Sequence, residues 1–376
     1  MNGVAKQLQV GVVGCGYWGS KHVRVLASIP GVEVSLIDRD ETQRNTIAGS
    51  YPVRRSESSL ELVIDKLDAI VIATPPTSHY SLAKQALEAD VHVLVEKPLT
   101  TNVEQAAELL ELASQRGLCL MVGHTFEFNP AVWGLADAIN APEFGKVRYI
   151  NSARLNLGLY QQDVDVLWDL APHDISILNY ILGSRPSSVS SWGLKLMADR
   201  SDVAYLSLRY DELDVSANVH VSWLDPMKVR RTTVVGENCM AVYDDMAEER
   251  LRIYEKGVKS EGRTGTAQAE VPMSYRHGPI ISPFVDFKEP LRLELEAFKT
   301  AIETKSPPPT DGRSGLDVVA VLCAAEVSDR TGQWVNVCYG DKLDIDLRET
   351  EASQADEPFL SGVASGRGFG VREGAI

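Results

Sequence analysis

The turn Gly14-Cys15-Gly16-Tyr17-Trp18-Gly19 follows the apolar run Leu8–Val13 and opens a helical pattern. Its Gly-x-Gly-x-x-Gly spacing suits one task, bringing backbone N–H groups against a pyrophosphate. Gly14 makes the tight turn, Gly16 lets the phosphates approach, and Gly19 allows the helix to pack close on the strand. The helix N-terminus adds unpaired N–H groups and a positive dipole end. Alone the spacing is weak evidence. Here it is joined by an acid, Asp38, nineteen residues after Gly19 and at the end of the next strand run. A carboxylate there accepts hydrogen bonds from the adenosine ribose and favours NAD over NADP, because a 2′-phosphate would meet a like charge. Arg39 keeps NADP open. A glycine turn without a ligand is the plain alternative.

A second constellation is spread through the chain. Glu96-Lys97-Pro98 closes the apolar run Val91–Val95, which places Lys97 at the carboxyl edge of a later parallel strand, where such sheets hold ligands. Pro98 keeps the lysine backbone extended. An ammonium in that place can hold a substrate oxygen and stabilise developing alkoxide charge in a dry site; a solvated lysine is the alternative. Far downstream, Asp169 and His173 are four apart and share a face if the segment is helical. Pro172 is compatible with a helix's first turn. A carboxylate beside an imidazole raises its basicity and orients it, as a general base requires. A capping aspartate with a packed histidine fits the same spacing. His79, His124 and Asn129 are lesser candidates just after strand ends, and Trp18 and Trp168 read as packing residues or as pocket walls. Lys228, Arg230 and Arg231 either meet a phosphorylated small molecule or form a solvated strand end. No His-x-x-x-His pair, cysteine pair or dense acid cluster suggests a metal.

The elements that must position these residues are legible as strand–helix alternation. Apolar runs at Leu8–Val13, Val32–Ile37, Ala69–Ala73, Val91–Val95 and Leu118–Val122 alternate with helical patterns at His22–Ile29, Leu60–Lys66, His79–Glu88 and Glu104–Arg116. That alternation predicts a doubly wound parallel sheet, an NAD-binding Rossmann domain over residues 1–122. The pattern then changes to helices at Asn129–Asn140 and Ile175–Leu182 and alternating segments at Val147–Leu157, Ala204–Tyr210, Val215–Trp223 and Arg231–Val235. These predict an α+β domain over residues 123–288, mainly antiparallel, with a helix covering one face and the other wet or paired with another subunit. Arg252–Lys288 reads as a long excursion rich in charge, Gly and Pro. Glu289–Thr304 and Gly315–Thr331 read as helices packing back on the first domain (289–338), before an irregular tail (339–376).

Composition narrows the function classes. The chain has 376 residues and a net charge of −15, which gives no support to a nucleic-acid partner. No stretch approaches the roughly 20 apolar residues of a membrane helix. The N-terminus lacks a signal-like pattern, and five scattered cysteines fit a reducing cytoplasm.

With these residues in view, the chain resembles the Gfo/Idh/MocA family of NAD(P)-dependent oxidoreductases over about residues 8–338. The resemblance rests on Gly-Cys-Gly-Tyr-Trp-Gly (14–19), Thr-Pro-Pro-Thr-Ser-His (74–79), Glu-Lys-Pro (96–98), Gly-His-Thr-Phe (123–126) and Asp-Leu-Ala-Pro-His (169–173). It implies that Lys97 and His173 line the catalytic site with Asp169 assisting, that the Lys97–Pro98 peptide is often cis, and that the open-faced second sheet serves a homodimer or homotetramer. The cofactor contacts it leads one to expect are Gly14, Gly16, Tyr17, Trp18, Gly19, Asp38, Arg39, Thr74, Pro75, His79, Glu96 and Lys97. Lys97, Arg154, Asn156, Tyr160 and His173 are the expected substrate contacts. The segments Gly-Tyr-Trp-Gly and Trp-Asp-Leu-Ala-Pro-His-Asp-Ile-Ser-Ile look like the branch acting on nucleotide-linked sugars, such as UDP-N-acetylglucosaminuronate 3-dehydrogenases. Inositol and free-sugar dehydrogenases, NAD-dependent glycosidases and a non-catalytic nucleotide-sensing regulator are the competing expectations.

Overall fold

The computed structural model describes residues 7–158, 160–161, 163–260 and 273–340. The first layer is a six-stranded parallel sheet built from β1 (Leu8–Val13), β2 (Val32–Ile37), β3 (Arg55–Glu57), β4 (Ala69–Ile72), β5 (His92–Glu96) and β6 (Leu120–Gly123). Its order is β3-β2-β1-β4-β5-β6. The strands are apolar on both faces, with Val12, Leu36, Ile70, Val71, Val93 and Leu94 fully buried. Both faces are covered by helices, as in parallel sheets generally. These are α1 (Tyr17–Leu26), α2 (Glu41–Ala48), α3 (His79–Glu88) and α4 (Val103–Arg116), the last two of which pack against each other. Chain order reverses between β1 and β4, so the crevice above their carboxyl ends is a topological switch point, the usual ligand position in this architecture. Gly14 follows β1 there and Thr74 follows β4.

The second layer begins after α5 (Pro130–Asn140). It contains β7 (Val147–Leu157), β8 (Ser188–Leu194), β9 (Val203–Tyr210), β10 (Val215–Ser222), β11 (Leu224–Gly236), β12 (Met240–Asp244), β13 (Leu251–Tyr254), β16 (Ile280–Ile281) and β17 (Val335–Asn336), with a separate hairpin of β14 (Gly257–Ser260) and β15 (Met273–Arg276). All pairs in the nine-stranded sheet are antiparallel except β7 with β10. Alternation sets the faces: Val215, Ala217, Val219 and Val221 of β10 are buried, while Ser216 and Asn218 are exposed. The helix α6 (Val166–Leu182) packs on the buried face. The opposite face carries a stacked row of rings, Trp192–Tyr205 (4.6 Å) and Tyr205–His220 (4.2 Å). α7 (Pro290–Thr304) returns to α1, and α8 (Gly312–Thr331) packs on α4, α6 and β8, so both sheets share one core.

The structure departs from the sequence expectations in several places. α6 starts nine residues before the expected Ile175, because Asp165 caps its N-terminus through the Trp168 N–H. Pro172 therefore lies in the second turn rather than the first. The Leu60–Lys66 pattern resolves into two short 3₁₀ turns. Arg252–Lys288 contains edge strands that pair through backbone and need little apolar patterning. α2 buries only Ile47, so its polar sequence carries no helical stripe; Asp40 and its cap hydrogen bond to the Gln43 N–H define its start instead. From 341 onward the expected irregular tail lies outside the described residues.

Candidate active site

At the switch point, each glycine of the turn has a distinct geometric reason. Gly14 has φ of +92°, and a Cβ there would stand 2.6 Å from the Ala73 carbonyl oxygen. A Cβ on Gly19 would overlap the Gly14 carbonyl oxygen at 1.7 Å. Gly16 differs: nothing lies within 4 Å of its Cβ position, so its backbone faces open space. No side chain caps the first turn of α1, so its N–H groups are free to meet an anion. The adjoining cavity, about 750 Å³, is lined by Gly14, Gly16, Asp38, Arg39, Thr74 and Pro75 among others. That volume is within the range of about 300–1,000 Å³ typical of small-molecule sites. A larger cavity, about 860 Å³, lies behind α6 and contains none of the expected site residues.

Asp38 braces this edge as well as facing it. Its Oδ2 accepts from the Cys15 N–H at 2.6 Å and its Oδ1 from the Asp40 N–H at 2.8 Å. Each carboxylate oxygen keeps further lone-pair capacity for ribose hydroxyls. Arg39 is exposed beside it. Burial, with Asp38 nearby, pushes the Cys15 thiol up to about 12, so it stays protonated and inert. Tyr17 and Trp18 are exposed, in edge-to-face contact at 5.7 Å. Trp18 is thus not a packing residue. Trp168 is one: it is buried and donates from Nε1 to Glu326 at 2.7 Å.

Two residues expected to touch cofactor are bonded into the scaffold. His79 is fully buried, with Nδ1 2.8 Å from the Pro98 carbonyl and Nε2 2.9 Å from the Thr74 carbonyl. It ties together the loops that follow β4 and β5. Burial lowers its pKa against the pull of both carbonyls, and a neutral ring donates to one carbonyl at a time. Glu96 is buried against His22 Nε2 at 2.8 Å. Burial pushes its pKa up, but the His22 hydrogen bond and the nearby Lys97 ammonium help to outweigh this and hold it below the ordinary value. The lesser candidate Asn129 is likewise occupied, capping α5 through the Ala131 N–H and donating to Tyr243 Oη at 3.0 Å. His124 is buried with neither ring nitrogen partnered among the described residues, and burial pushes it down to about 4.

The distant residues converge. The Lys97–Pro98 peptide is cis. Lys97 Nζ donates to the Asp169 main-chain carbonyl at 2.7 Å and to Asp169 Oδ1 at 3.1 Å. Asp169 Oδ2 accepts from Trp223 Nε1 at 3.0 Å. Tyr160, exposed, packs its ring 5.0 Å from that of Trp223, and Asn156 is half-buried. His173 lies one turn along α6 from Asp169, edge-to-face with Phe126 at 5.0 Å. The expectation that Asp169 raises the basicity of His173 is reversed. The carboxylate is committed to Lys97 and Trp223, and burial together with Lys97, Arg154 and Arg230 lowers the imidazole pKa well below its ordinary value. His173 is therefore neutral at physiological pH and able to accept a proton. Its Nδ1 is buried without a partner among the described residues.

Arg154 projects from β7 onto the same wall. It pairs with buried Asp174 (Nε to Oδ2, 2.7 Å) and stacks 4.4 Å over Phe126. Sequence reasoning missed Trp223, Phe126, Asp174 and the inward placement of Arg230. Phe126 lies within the Gly-His-Thr-Phe segment and Asp174 directly follows His173, so both were within reach. Trp223 and Arg230 emerge only from strand pairing.

The chain is similar to known proteins over both of its layers. The Gfo/Idh/MocA model described as an oxidoreductase family with an NAD-binding Rossmann fold matches residues 8–124, and the Gfo/Idh/MocA C-terminal-domain model matches residues 134–242. A UDP-N-acetylglucosamine 3-dehydrogenase of Acidithiobacillus ferrooxidans is 28% identical over 85% of this chain and 97% of its own length. The solved structure of that enzyme superposes with a TM-score of 0.73 at 26% identity, over 87% of this chain and 99% of the other. A D-apiose dehydrogenase of Paraburkholderia graminis is 24% identical over 96% of this chain and 94% of its own. An NAD⁺-dependent scyllo-inositol 2-dehydrogenase of Bacillus subtilis is 29% identical over 56% of this chain and 65% of its own.

Proposed function

Because the chain belongs to the Gfo/Idh/MocA family of NAD-binding oxidoreductases, we propose that it interconverts a sugar hydroxyl and a keto group, on a nucleotide-linked sugar. One observation carries the reading: Lys97, Asp169 and a neutral His173 meet on one wall although 76 residues separate the first from the last. The open backbone above Gly16, the uncapped first turn of α1 and the Asp38 carboxylate fit the pyrophosphate and ribose of NAD.

Bound NAD supplies the hydride acceptor, and the chain does the rest. His173 takes the hydroxyl proton at Nε2, with Nδ1 carrying the ring's own hydrogen. Lys97 holds the same oxygen through its ammonium and steadies the negative charge that develops on it. Asp169, braced by Trp223, fixes where that ammonium points. In the reverse direction protonated His173 returns the proton to the forming hydroxyl, and Lys97 polarises the keto oxygen. Arg154, Asn156 and Tyr160 complete the substrate side. The relatives' substrates range from a nucleotide sugar to apiose and an inositol; of the two relatives aligned over nearly their whole length, the nucleotide-sugar enzyme is the more similar, at 28% identity against 24%, and this supports the nucleotide sugar. The stacked ring row Trp192–Tyr205–His220, with Trp192 exposed and the other two half-buried, supports a homodimer or homotetramer through the second sheet.

The test is an NADH-absorbance screen over nucleotide sugars, free sugars and inositols. Steady NADH formation with a sugar supports the dehydrogenase. Bond cleavage without net NADH indicates a glycosidase. Tight NAD binding with no turnover of any sugar defeats the proposal in favour of a regulator.

A further inference from the structure

Arg154 of β7 and Arg230 of β11 are direct cross-strand partners on the inward face of the second sheet. Deeper in the same face, the paired positions are Ser152 with Thr232 and Ile150 with Val234, which is ordinary core. Two like charges placed opposite one another destabilise an antiparallel pair. Each guanidinium has a carboxylate to offset that cost, Asp174 at 2.7 Å and Asp245 at 3.3 Å. Both lie over the Phe126 ring, with Cζ atoms 4.4 Å and 5.4 Å from its centroid, and His173 abuts the same ring.

The donors outnumber the acceptors. A guanidinium carries five N–H groups, and here only Nε of Arg154 and Nη1 of Arg230 are bonded among the described residues. Nη1 of Arg154 is buried with no partner, although the residue is only 3% exposed. Leaving such a donor unpaired costs about 1–3 kcal/mol, which a ligand can recover. The nearby carboxylates are shared with other donors. Asp174 also receives Ser152 Oγ at 2.7 Å, and Asp245 also receives Asn129 Nδ2 at 3.4 Å. Beyond these shared carboxylates, the surplus beside Phe126 is of guanidinium N–H donors, which cannot accept. It suits a ligand group that only accepts.

We propose that Arg154 and Arg230 together seat an anionic oxygen group of the substrate, a carboxylate or a phosphate, beside the carbon whose hydroxyl faces His173. The proposal rests on the dehydrogenase reading and narrows it to acidic or phosphorylated sugars. Arg230 is the half-exposed member and Arg154 the buried anchor.

The test uses the purified full chain with NAD and two matched comparisons. UDP-N-acetylglucosaminuronate against UDP-N-acetylglucosamine isolates a sugar carboxylate; N-acetylglucosamine 1-phosphate against free N-acetylglucosamine isolates a phosphate. The expected result is a kcat/KM preference of about 10- to 100-fold for the charged member of at least one pair, as a charge-assisted hydrogen bond supplies. Arg230→Gln should erase most of that preference, and Arg230→Lys should keep part of it. The pair that responds identifies the source of the anion. Preference unchanged in Arg230→Gln, or absent from both pairs in the wild type, overturns the proposal. Calorimetric binding of the same ligands separates it from the reading beneath it. If no sugar is oxidised but Arg230→Gln weakens the charged ligand at least tenfold, the clamp stands and the dehydrogenase falls. If sugars are oxidised without discrimination, the reverse holds. Neither turnover nor binding defeats both.

Discussion

The cofactor edge and the proposed substrate wall lie on facing layers and treat their polar groups in opposite ways. On the cofactor edge almost every functional-looking side chain is bonded to the chain itself. His79 spans two carbonyls, Asp38 holds two backbone N–H groups, and Glu96 is closed off by His22. What is left open there is main chain: the backbone at Gly16 and the first turn of α1. On the substrate wall the main chain is spent in strands and helix, and side-chain atoms are left over, among them His173 Nδ1 and Arg154 Nη1. A ligand shared by many enzymes can be read by backbone, since any sequence with the right glycines supplies it. A particular substrate must be read by side chains, which a layer can change without refolding.

Mutations that strike each side should therefore fail differently. The largest expected effect is Gly19→Ala. The added Cβ meets main chain rather than a flexible side chain, so the turn must deform. The NAD dissociation constant should rise at least ~100-fold, with stability down by about 2 kcal/mol; calorimetry and thermal melts check both. His173→Asn should lower kcat by about 100- to 10,000-fold while leaving the NAD dissociation constant within about twofold of wild type. Loss of NAD binding in that variant would break the division between the two regions.

The pH profile sharpens the same point. Burial and three cations lower the His173 pKa, so its neutral form persists below pH 6.5. The acid limb of kcat/KM in the oxidative direction should then lie below 6.5, and activity should fall as pH drops through the lowered value. A limb near or above 7 would contradict the geometry. Next in size, His79→Leu removes the one donor shared by two loop carbonyls, and a cost of about 1–3 kcal/mol in stability should accompany a roughly tenfold loss of NAD affinity. Smallest, Trp223→Phe removes a single hydrogen bond to Asp169. About 1 kcal/mol, a three- to tenfold loss in kcat/KM at unchanged NAD affinity, is the expected result.

The same contrast explains what was legible in the sequence. The parallel sheet was, because its strands are buried on both faces and read as short apolar runs divided by helices. The glycine turn was too, since its constraints are local: a positive φ, a close contact, and an acid one strand away. Lys97, Asp169 and His173 could be singled out as residues, but their mutual arrangement could not. The sense of the His173 pKa shift depends on Trp223 and Lys97 occupying Asp169, and on two arginines meeting across strands. Neither is encoded in spacing along α6. The edge strands of Arg252–Lys288 were missed for a related reason, as they are held by partner backbone rather than by an apolar pattern of their own.

Lys97 has three ammonium hydrogens, and two already point at Asp169. One vector remains. The lysine is thereby a rivet as well as, in the proposed reaction, a reagent, fastening the edge of β5 to the first turn of α6 with the same group that would hold the substrate oxygen. Any gape between the layers wide enough to loosen that rivet also disarms the chemistry. Substrate can meet a competent ammonium only when the jaw is already set, so mechanical closure and chemical readiness are one event.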